Sequence, residues 1–444
     1  MFDATNLDAW LHHIEVLHSK PIDMGLERMQ TMIQRLGLDF SSQTVITVGG
    51  TNGKGSTCAM LESIYRAAGY TTGMHTSPHL IRLNERCVVN GHEVSDECLI
   101  KAFREVETAR GDMTLSYFEY TALAILKIFL DAKLDVVILE IGLGGRLDAI
   151  NCIDSHAAVI STIGVDHVAF LGNTREAIGL EKAHIYRPGC PAVCADQNVP
   201  VTVREYVEKV GALRRFANED WRVNVKTDGT FTFSMGATLF EGLPEPALAG
   251  VNQYSNAGGV LAVVASLMGR VPVTQADIAT GLKTVRLTAR FEHITDHLVP
   301  TIIDVGHNPQ AAEVLFTNVV KSRQPHERTI AVVGMLADKD MTGVMHILAD
   351  AFDAWHVASL TGPRAATAQQ LKHAMLEAGI SESLITTYDD VASALAGARH
   401  EAELAKNSFQ TGSDQKPTVR IVVFGSFVTV TAALEVFARE GIRR

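Results

Sequence analysis

At 444 residues the chain is too long for one core and predicts two or three domains. Its 47% hydrophobic and 20% charged content is that of a globular protein, and the net charge of −11 argues against a general binder of nucleic acid or of membrane surfaces. No run reaches the roughly 18 apolar residues of a membrane helix, Met1-Phe2-Asp3-Ala4 leads into no signal-type apolar stretch, and Cys58, Cys87, Cys98, Cys152, Cys190 and Cys194 form no zinc-type double pair, which together predict reduced thiols in a cytoplasmic protein.

In chain order, the first strong element is the β-branched strand Val45-Ile46-Thr47-Val48, which runs into Gly49-Gly50-Thr51-Asn52-Gly53-Lys54-Gly55-Ser56. Thr57 to Ala68 then reads as a helix. Glycines let backbone N–H groups close on phosphate oxygens, the helix N-terminus adds partial positive charge, and a lysine reaches the terminal phosphates. Ser56 is placed to ligate Mg²⁺. The spacing departs from G-x-x-x-x-G-K-[ST], because Val48 replaces the first glycine and Gly55 separates lysine from serine. Tyr120 to Leu130 predicts a buried helix. Asp135-Val136-Val137-Ile138-Leu139 is a continuous apolar run of the kind buried on both faces of a parallel sheet, and it ends at Glu140. The glycines Gly142, Gly144 and Gly145 that follow do not make a dinucleotide fingerprint, since Leu147 stands at the last glycine position.

A third strand, Ala157 to Ile163, ends at Gly164-Val165-Asp166-His167. Lys54, Glu140 and His167 are thus all expected just past strand C-termini, where open α/β sheets bind ligands. Glu140 at the end of an apolar run is costly to bury unless paired or metal-bound. His167 is open between a metal ligand and a core or cap histidine. Lys182, in Glu181-Lys182-Ala183, reads as an ordinary helix lysine. Residues 200–250 are irregular, with polar alternation from Thr227 to Phe233 suggesting an antiparallel edge, and Gln253 to Met268 is a helix. Strands restart at Thr301-Ile302-Ile303, Thr329 to Val333, His356-Val357-Ala358 and Val419 to Phe424. Lys406 to Lys416 reads as a solvated loop. The alternation predicts an α/β fold class: an N-terminal P-loop-containing parallel-sheet domain (1–289) joined to a smaller C-terminal Rossmann-like α/β domain (290–444), with a linker over about 284–300.

Six segments in this order, Gly50 to Ser56, Thr76-Ser77-Pro78-His79-Leu80, Glu140 to Asp148, Asp166-His167 with Leu171-Gly172, Glu181-Lys182-Ala183, and Asp304 with His307-Asn308-Pro309, resemble the folylpolyglutamate synthases of the Mur ligase family, which are ATP-dependent amide-forming ligases. Ile22 to Met29 is similar to the dihydropteroate-binding segment of the bifunctional dihydrofolate synthase/folylpolyglutamate synthases. The resemblance implies that ATP activates a carboxylate as an acyl phosphate, which the amine of L-glutamate attacks. It implies ATP contacts at Gly53, Lys54, Gly55, Ser56, Asn256, Arg290 and Asp304. It also implies Mg²⁺ at two sites, with Ser56, Glu140, His167 and a CO₂-derived carbamate on Lys182 as ligands. Catalytic roles fall to Lys54, Lys182, His167 and His307. The acceptor, dihydropteroate or a reduced folate, would meet Asp23, Gly25, Leu26, Arg28, Ser77, Pro78, Phe118, Glu119, Tyr120, Arg146, Asp148 and Asn151, with Ser426 near the glutamate site. The family precedent is a cytoplasmic monomer without nucleic-acid or membrane partners. Three positions depart from the family: Thr288-Ala289 stands for Pro-Gly, His184 for glycine, and Ile150 for threonine. A monofunctional folylpolyglutamate synthase, a UDP-sugar-peptide Mur ligase and a P-loop ATPase switch are the alternatives, and the dihydropteroate-type segment argues against the first two.

Overall fold

The computed structural model describes residues 2–20, 23–294, 296, 298–407 and 418–442. It divides into two compact units, Met1–Ala247 with Gln253–Arg286, and Leu248–Asn252 with Leu287–Arg444. No helix of the described residues is long and apolar enough to cross a membrane.

The first unit is built on eight strands: β1 (Thr44–Gly49), β2 (Thr72–His75), β3 (Cys87–Val89), β4 (His92–Glu93), β5 (Val136–Glu140), β6 (Ala157–Ile160), β7 (Pro191–Cys194) and β8 (Leu213–Phe216). They lie in the order β4-β3-β2-β5-β1-β6-β7-β8, parallel from β2 to β8, with β3 and β4 antiparallel at one edge. β1 and β5 are buried at every residue, as central strands of a parallel sheet covered on both faces are. Because β1 lies between β5 and β6 while the chain leaves it for β2, its C-terminal end is where the strand order reverses and a crevice opens.

The helix after β1 spans Lys54–Ala67 and starts earlier than the expected Thr57, since Gly53 takes a left-handed φ of 88° and turns the chain directly into it. β6 stops at Ile160 instead of Ile163, because Ser161 and Thr162 bend back to donate to the Asn52 carbonyl (Ser161 Oγ at 2.6 Å, Thr162 Oγ1 at 3.0 Å). The helix Gln275–Thr284 crosses Lys54–Ala67 at Gly281, where a Cβ would stand 2.6 Å from the Ile64 Cα. The helix Gln253–Leu267 is buried on nearly every side. Its Gly258 lies directly against the Trp221 ring and its Gly259 against Ala195.

The alternation near Thr227 to Phe233 resolves into a separate three-stranded antiparallel sheet, β11-β10-β9, made of β9 (Trp221–Val225), β10 (Phe231–Met235) and β11 (Thr238–Leu243). The turn after β9 is closed by Lys226 N donating to Thr230 O, so half of the expected edge is a turn.

The second unit has β12 (Glu292–Ile294), β13 (Thr301–Ile303), β14 (Arg328–Val333), β15 (Ala354–Ala358), β16 (Ile385–Tyr388) and β17 (Val419–Phe424), in the order β12-β13-β17-β14-β15-β16 and parallel except for β12. β12 falls inside the segment expected to be a linker, so that segment is part strand; Thr295 and His297 of it lie outside the described residues. Lys406 closes the helix Val391–Asn407, and 408–416 of the expected loop lie outside the described residues. The core of this unit is centred on Trp355, Phe424 and Phe352, with Trp355 and Phe352 edge to face at 4.8 Å.

Candidate active site

The ends of β1 and β5 meet at the phosphate loop. Val48 pairs with Glu140 in register, so the loop leaves β1 one residue beyond the carboxylate. Gly53 caps the helix without a side chain, which leaves the helix N-terminal N–H groups open to an anion. Lys54 Nζ donates to Thr51 O at 3.2 Å and stands 3.9 Å from Glu140 Oε1. Glu140 is buried and its Oε2 accepts from Ser77 N at 3.1 Å. Ser56 Oγ is sealed from solvent and has no hydrogen-bond partner among the described residues. A buried hydroxyl left unpaired costs free energy, and together with the Glu140 carboxylate it is the hard oxygen donor set that suits Mg²⁺. The residues present therefore fit a magnesium ion bound with ATP.

Lys182 is fully enclosed and its Nζ donates to Gly50 O at 2.9 Å, on the underside of the phosphate loop. Burial, reinforced by the nearby Lys54 charge, pulls its pKa down to about 7, while Asp166 and Asp148 act in the opposite sense. The ordinary helix lysine of the sequence reading is thus an amine largely neutral above pH 7. His167 precedes the short helix Val168–Leu171 in a left-handed conformation (φ 53°), with its N donating to Asp166 Oδ1 at 2.8 Å. Its side chain is 36% exposed. Among the described residues no three His, Cys, Asp or Glu side chains form a metal-holding group, so His167 and Glu140 are not joined into one by a third such residue.

Asn256, far along the chain, reaches the same loop. Its Oδ1 is 2.6 Å from where a Cβ on Gly53 would stand, and its Nδ2 donates to Gln253 Oε1 at 2.9 Å. Gly53 therefore needs to be glycine for both its φ and this approach.

Among the residues expected to meet the acceptor, Arg28 links two carboxylates, Asp23 at 2.7 Å through Nη1 and Glu119 at 3.0 Å through Nε. Glu119 also accepts from Ser116 N at 2.8 Å, so the 23–28 segment is anchored to the N-terminus of the helix Tyr117–Asp131. Gly25 and Leu26 lie in that segment, and Leu26 O accepts from Gln30 N at 2.8 Å. Phe118 packs on Gly142, where a Cβ would come within 2.6 Å of the ring. Asp148 is buried, accepts from Leu143 N and Ile150 N at 2.8 and 3.0 Å, and is pushed up to about 6 by burial. Arg146 pairs with Glu181 at 2.9 Å, and Asn151 donates to His184 O at 3.2 Å. Ser77 and Pro78 are joined by a cis peptide bond beside Glu140.

Tyr120 is a correction. It is fully buried and its hydroxyl donates to Phe103 O at 3.0 Å, with Glu107 Oε2 at 3.1 Å. It belongs to the core, because residues two apart on a helix point to opposite faces and Phe118 takes the one that meets Gly142. Of the family departures, Ile150 is a core residue and the His184 ring lies 4.4 Å from that of Tyr206.

In the second unit, the ends of β13 and β17 bring four expected residues together. Asp304 is half-buried and accepts from Phe291 N at 2.9 Å and Gly306 N at 2.7 Å; desolvation raises its pKa, and the two N–H donors and Arg290 oppose that. The Arg290 guanidinium lies 5.6 Å from the Phe427 ring centroid, and the His307 ring 6.3 Å from it. His307 Nδ1 is 2.8 Å from Val305 O, and Ser426 caps the helix Phe427–Arg439. Ala289 and Phe291, on either side of Arg290, have φ of 61° and 51°. The left-handed Ala289 accounts for the family's glycine at that position.

Sequence reasoning missed Arg86, whose side chain is 8% exposed near the Ser77–Glu140 end of the sheet. Its only signal is a charge directly before the apolar Cys87-Val88-Val89.

Residues 48–263 match the Mur ligase middle domain family, and residues 289–427 the Mur ligase glutamate ligase domain family. The chain is 42% identical over 434 residues to the dihydrofolate synthase/folylpolyglutamate synthase of Escherichia coli K12, covering 98% of this chain and 96% of that protein. It is 40% identical over 381 residues to the Haemophilus influenzae protein so named, covering 82% and 85%. Among solved structures it is similar to E. coli FolC in complex with DHPP and ADP, with a TM-score of 0.89, 39% identity and coverage of 99% and 100%. It is also similar to a bifunctional folylpolyglutamate synthase/dihydrofolate synthase with Mn, AMPPNP and L-glutamate bound, with a TM-score of 0.86, 36% identity and 99% of each chain covered.

Proposed function

Because the chain belongs to the dihydrofolate synthase/folylpolyglutamate synthases of the Mur ligase family, we propose that the residues described above carry out that family's ATP-dependent glutamate ligation. The protein is an ATP-dependent ligase that joins L-glutamate to dihydropteroate, forming dihydrofolate, and to reduced folates, forming polyglutamates. The acceptor carboxylate attacks the γ-phosphate, ADP leaves, and the resulting acyl phosphate is attacked by the glutamate amine. A C–N bond forms as the C–O bond to phosphate breaks.

One observation carries the assignment of roles: Lys54 and Glu140 stand 3.9 Å apart at the ends of adjacent strands, beside the unpaired Ser56 hydroxyl. Gly53, Lys54, Gly55 and Ser56 hold the phosphates, and Lys54 bears on the oxygens that gain charge as phosphate transfers. Ser56 and Glu140 would hold Mg²⁺, with His167 and a carbamate on Lys182 serving a second ion. Bound there, magnesium supplies charge neutralisation between nucleotide and acceptor carboxylate. Asn256 supports the loop and the adenine side. Arg290 and Asp304 are nucleotide contacts, and His307 and Ser426 contacts for glutamate. Phe118, Arg146, Asp148, Asn151 and the Asp23–Arg28 segment bind the acceptor. The neutral amine that carbamylation requires is supported by the enclosure of Lys182 and its pKa near 7. A cytoplasmic monomer is the assembly we infer, in keeping with six unpaired cysteines, and sedimentation at assay concentration checks the monomer.

The test is a single assay: purified protein, Mg-ATP, L-glutamate and each acceptor in turn, with products read by mass. One glutamate added to dihydropteroate and further glutamates to tetrahydrofolate is the expected result. ATP hydrolysis with no glutamylated product from any acceptor would overturn the reading.

A further inference from the structure

Among the described residues, Arg86 forms no direct ion pair. It closes the 3₁₀ turn Leu83–Arg86 and leads into β3, whose Cys87 pairs with His75 of β2. Two residues beyond His75, Ser77 N holds the Glu140 carboxylate. Arg86 therefore stands at the same end of the sheet as Glu140, and the two charges are within electrostatic reach of each other. The guanidinium donates through Nε to His79 Nδ1 at 2.9 Å, and its carbon lies 5.6 Å from the ring centroid of Tyr117, the neighbour of Phe118. Among the described residues no carboxylate is within ion-pair distance of it, and its two terminal nitrogens have no protein acceptor and are not sealed from solvent. Burial and the Arg86 charge push His79 down to about 4, so the one partner is a neutral acceptor. Arg420, the other arginine buried to this degree, has Glu327 at 3.1 Å. A largely buried guanidinium whose two terminal nitrogens are uncommitted yet reachable presents the planar fork that a carboxylate takes up with two hydrogen bonds.

The two acceptors of the ligation differ by one anion. Dihydropteroate ends in a single carboxylate, the one that reacts. A folate ends in glutamate, whose γ-carboxylate reacts while the α-carboxylate does not. If both reacting groups occupy one position near Glu140, the α-carboxylate needs a cation that dihydropteroate leaves idle. Resting on the bifunctional reading above, we propose that Arg86 binds the α-carboxylate of the terminal glutamate of a folate acceptor, and so sets the enzyme's preference between its two acceptors.

The test compares kcat/KM for dihydropteroate and for tetrahydrofolate in the unaltered protein, in Arg86→Lys and in Arg86→Gln. It adds a tetrahydrofolate whose α-carboxylate is a primary amide and whose γ-carboxylate is free. The tetrahydrofolate-to-dihydropteroate ratio is expected to fall about 10- to 100-fold in Arg86→Gln, mostly through the KM for tetrahydrofolate, and less in Arg86→Lys. The amide is expected to cost the unaltered protein a similar factor and Arg86→Gln nothing further. An unchanged ratio, even with both activities lowered, would show a structural role or a role toward the reacting carboxylate, and would overturn the proposal. Should Arg86→Gln not fold, equal use of amide and acid by the unaltered protein overturns it without any variant. Failure of the unaltered protein to extend tetrahydrofolate at all would overturn the bifunctional reading and this proposal with it, and is recognised by needing no substitution.

Discussion

Lys182 shows how much a side chain's chemistry depends on its enclosure. A lysine in water is almost wholly protonated at neutral pH, and only the neutral amine combines with CO₂, releasing a proton as the carbamate forms. With its pKa drawn to about 7 by burial, the fraction of Lys182 able to react rises as pH climbs through that value and falls below it. We expect ¹³C-bicarbonate to give a carbamate resonance that grows between pH 6 and 8 and is absent in Lys182→Ala, with Lys182→Arg as inactive as the alanine variant. A fully active Lys182→Ala would remove the carbamate from the mechanism. Gly53 is constrained differently: an added Cβ would sit 2.6 Å from Asn256 Oδ1 on a backbone already at φ 88°. Strain of about 1–3 kcal/mol at such a position, if it falls on nucleotide binding, corresponds to a rise of roughly 5- to 150-fold in KM for ATP in Gly53→Ala. Titration with ADP separates this from a loss of chemistry, because binding itself should weaken.

At the scale of elements, the phosphate loop depends on a helix packed behind the one it leads into. Lys54–Ala67 is held from behind by Gln275–Thr284, whose Gly281 lies on the backbone of Ile64 and whose Gly281 carbonyl accepts from Ser63 Oγ at 2.9 Å. Gly281→Ala forces that contact apart, because the Ile64 backbone atoms Cα and N, at 2.6 and 2.7 Å from the added Cβ, cannot yield as a side chain would. A loss of about 1–3 kcal/mol in unfolding free energy is expected, together with a raised KM for ATP. A variant destabilised with ATP binding intact would show that the phosphate loop tolerates displacement of its helix.

Much of this arrangement is legible in the sequence. Glu140 directly follows an unbroken apolar run, so burial of the strand fixes where the carboxylate emerges, and Lys54 is announced by the glycine-rich turn after a β-branched strand. The contacts that join distant segments are not legible. Asn256 meets Gly53 across two hundred residues only because the helix Gln253–Leu267 can press its glycines onto neighbouring side chains. Phe118 and Tyr120 are alike in sequence, and only the helix phase separates Phe118, which meets Gly142, from Tyr120 in the core. Arg86 was invisible for a related reason, since a lone charge before a short strand says nothing about what surrounds it.

For the whole molecule, each unit has its own hydrophobic core, one around Trp10, Phe103, Tyr120 and Phe129, the other around Trp355, Phe424 and Phe352. Two such cores predict that heat unfolding departs from a single cooperative transition, with the calorimetric enthalpy exceeding the van't Hoff value. Equality of the two would show that the units melt as one. The three tryptophans are divided among the parts of this architecture: Trp10 and Trp355 lie in those two cores, and Trp221 lies against Gly258 on the helix whose Asn256 faces Gly53. The molecule thus carries a built-in optical reporter. With Trp10 and Trp355 replaced by phenylalanine, the emission of the remaining indole would follow the state of the phosphate loop through one helical turn, so nucleotide arrival could be timed by fluorescence without attaching a label.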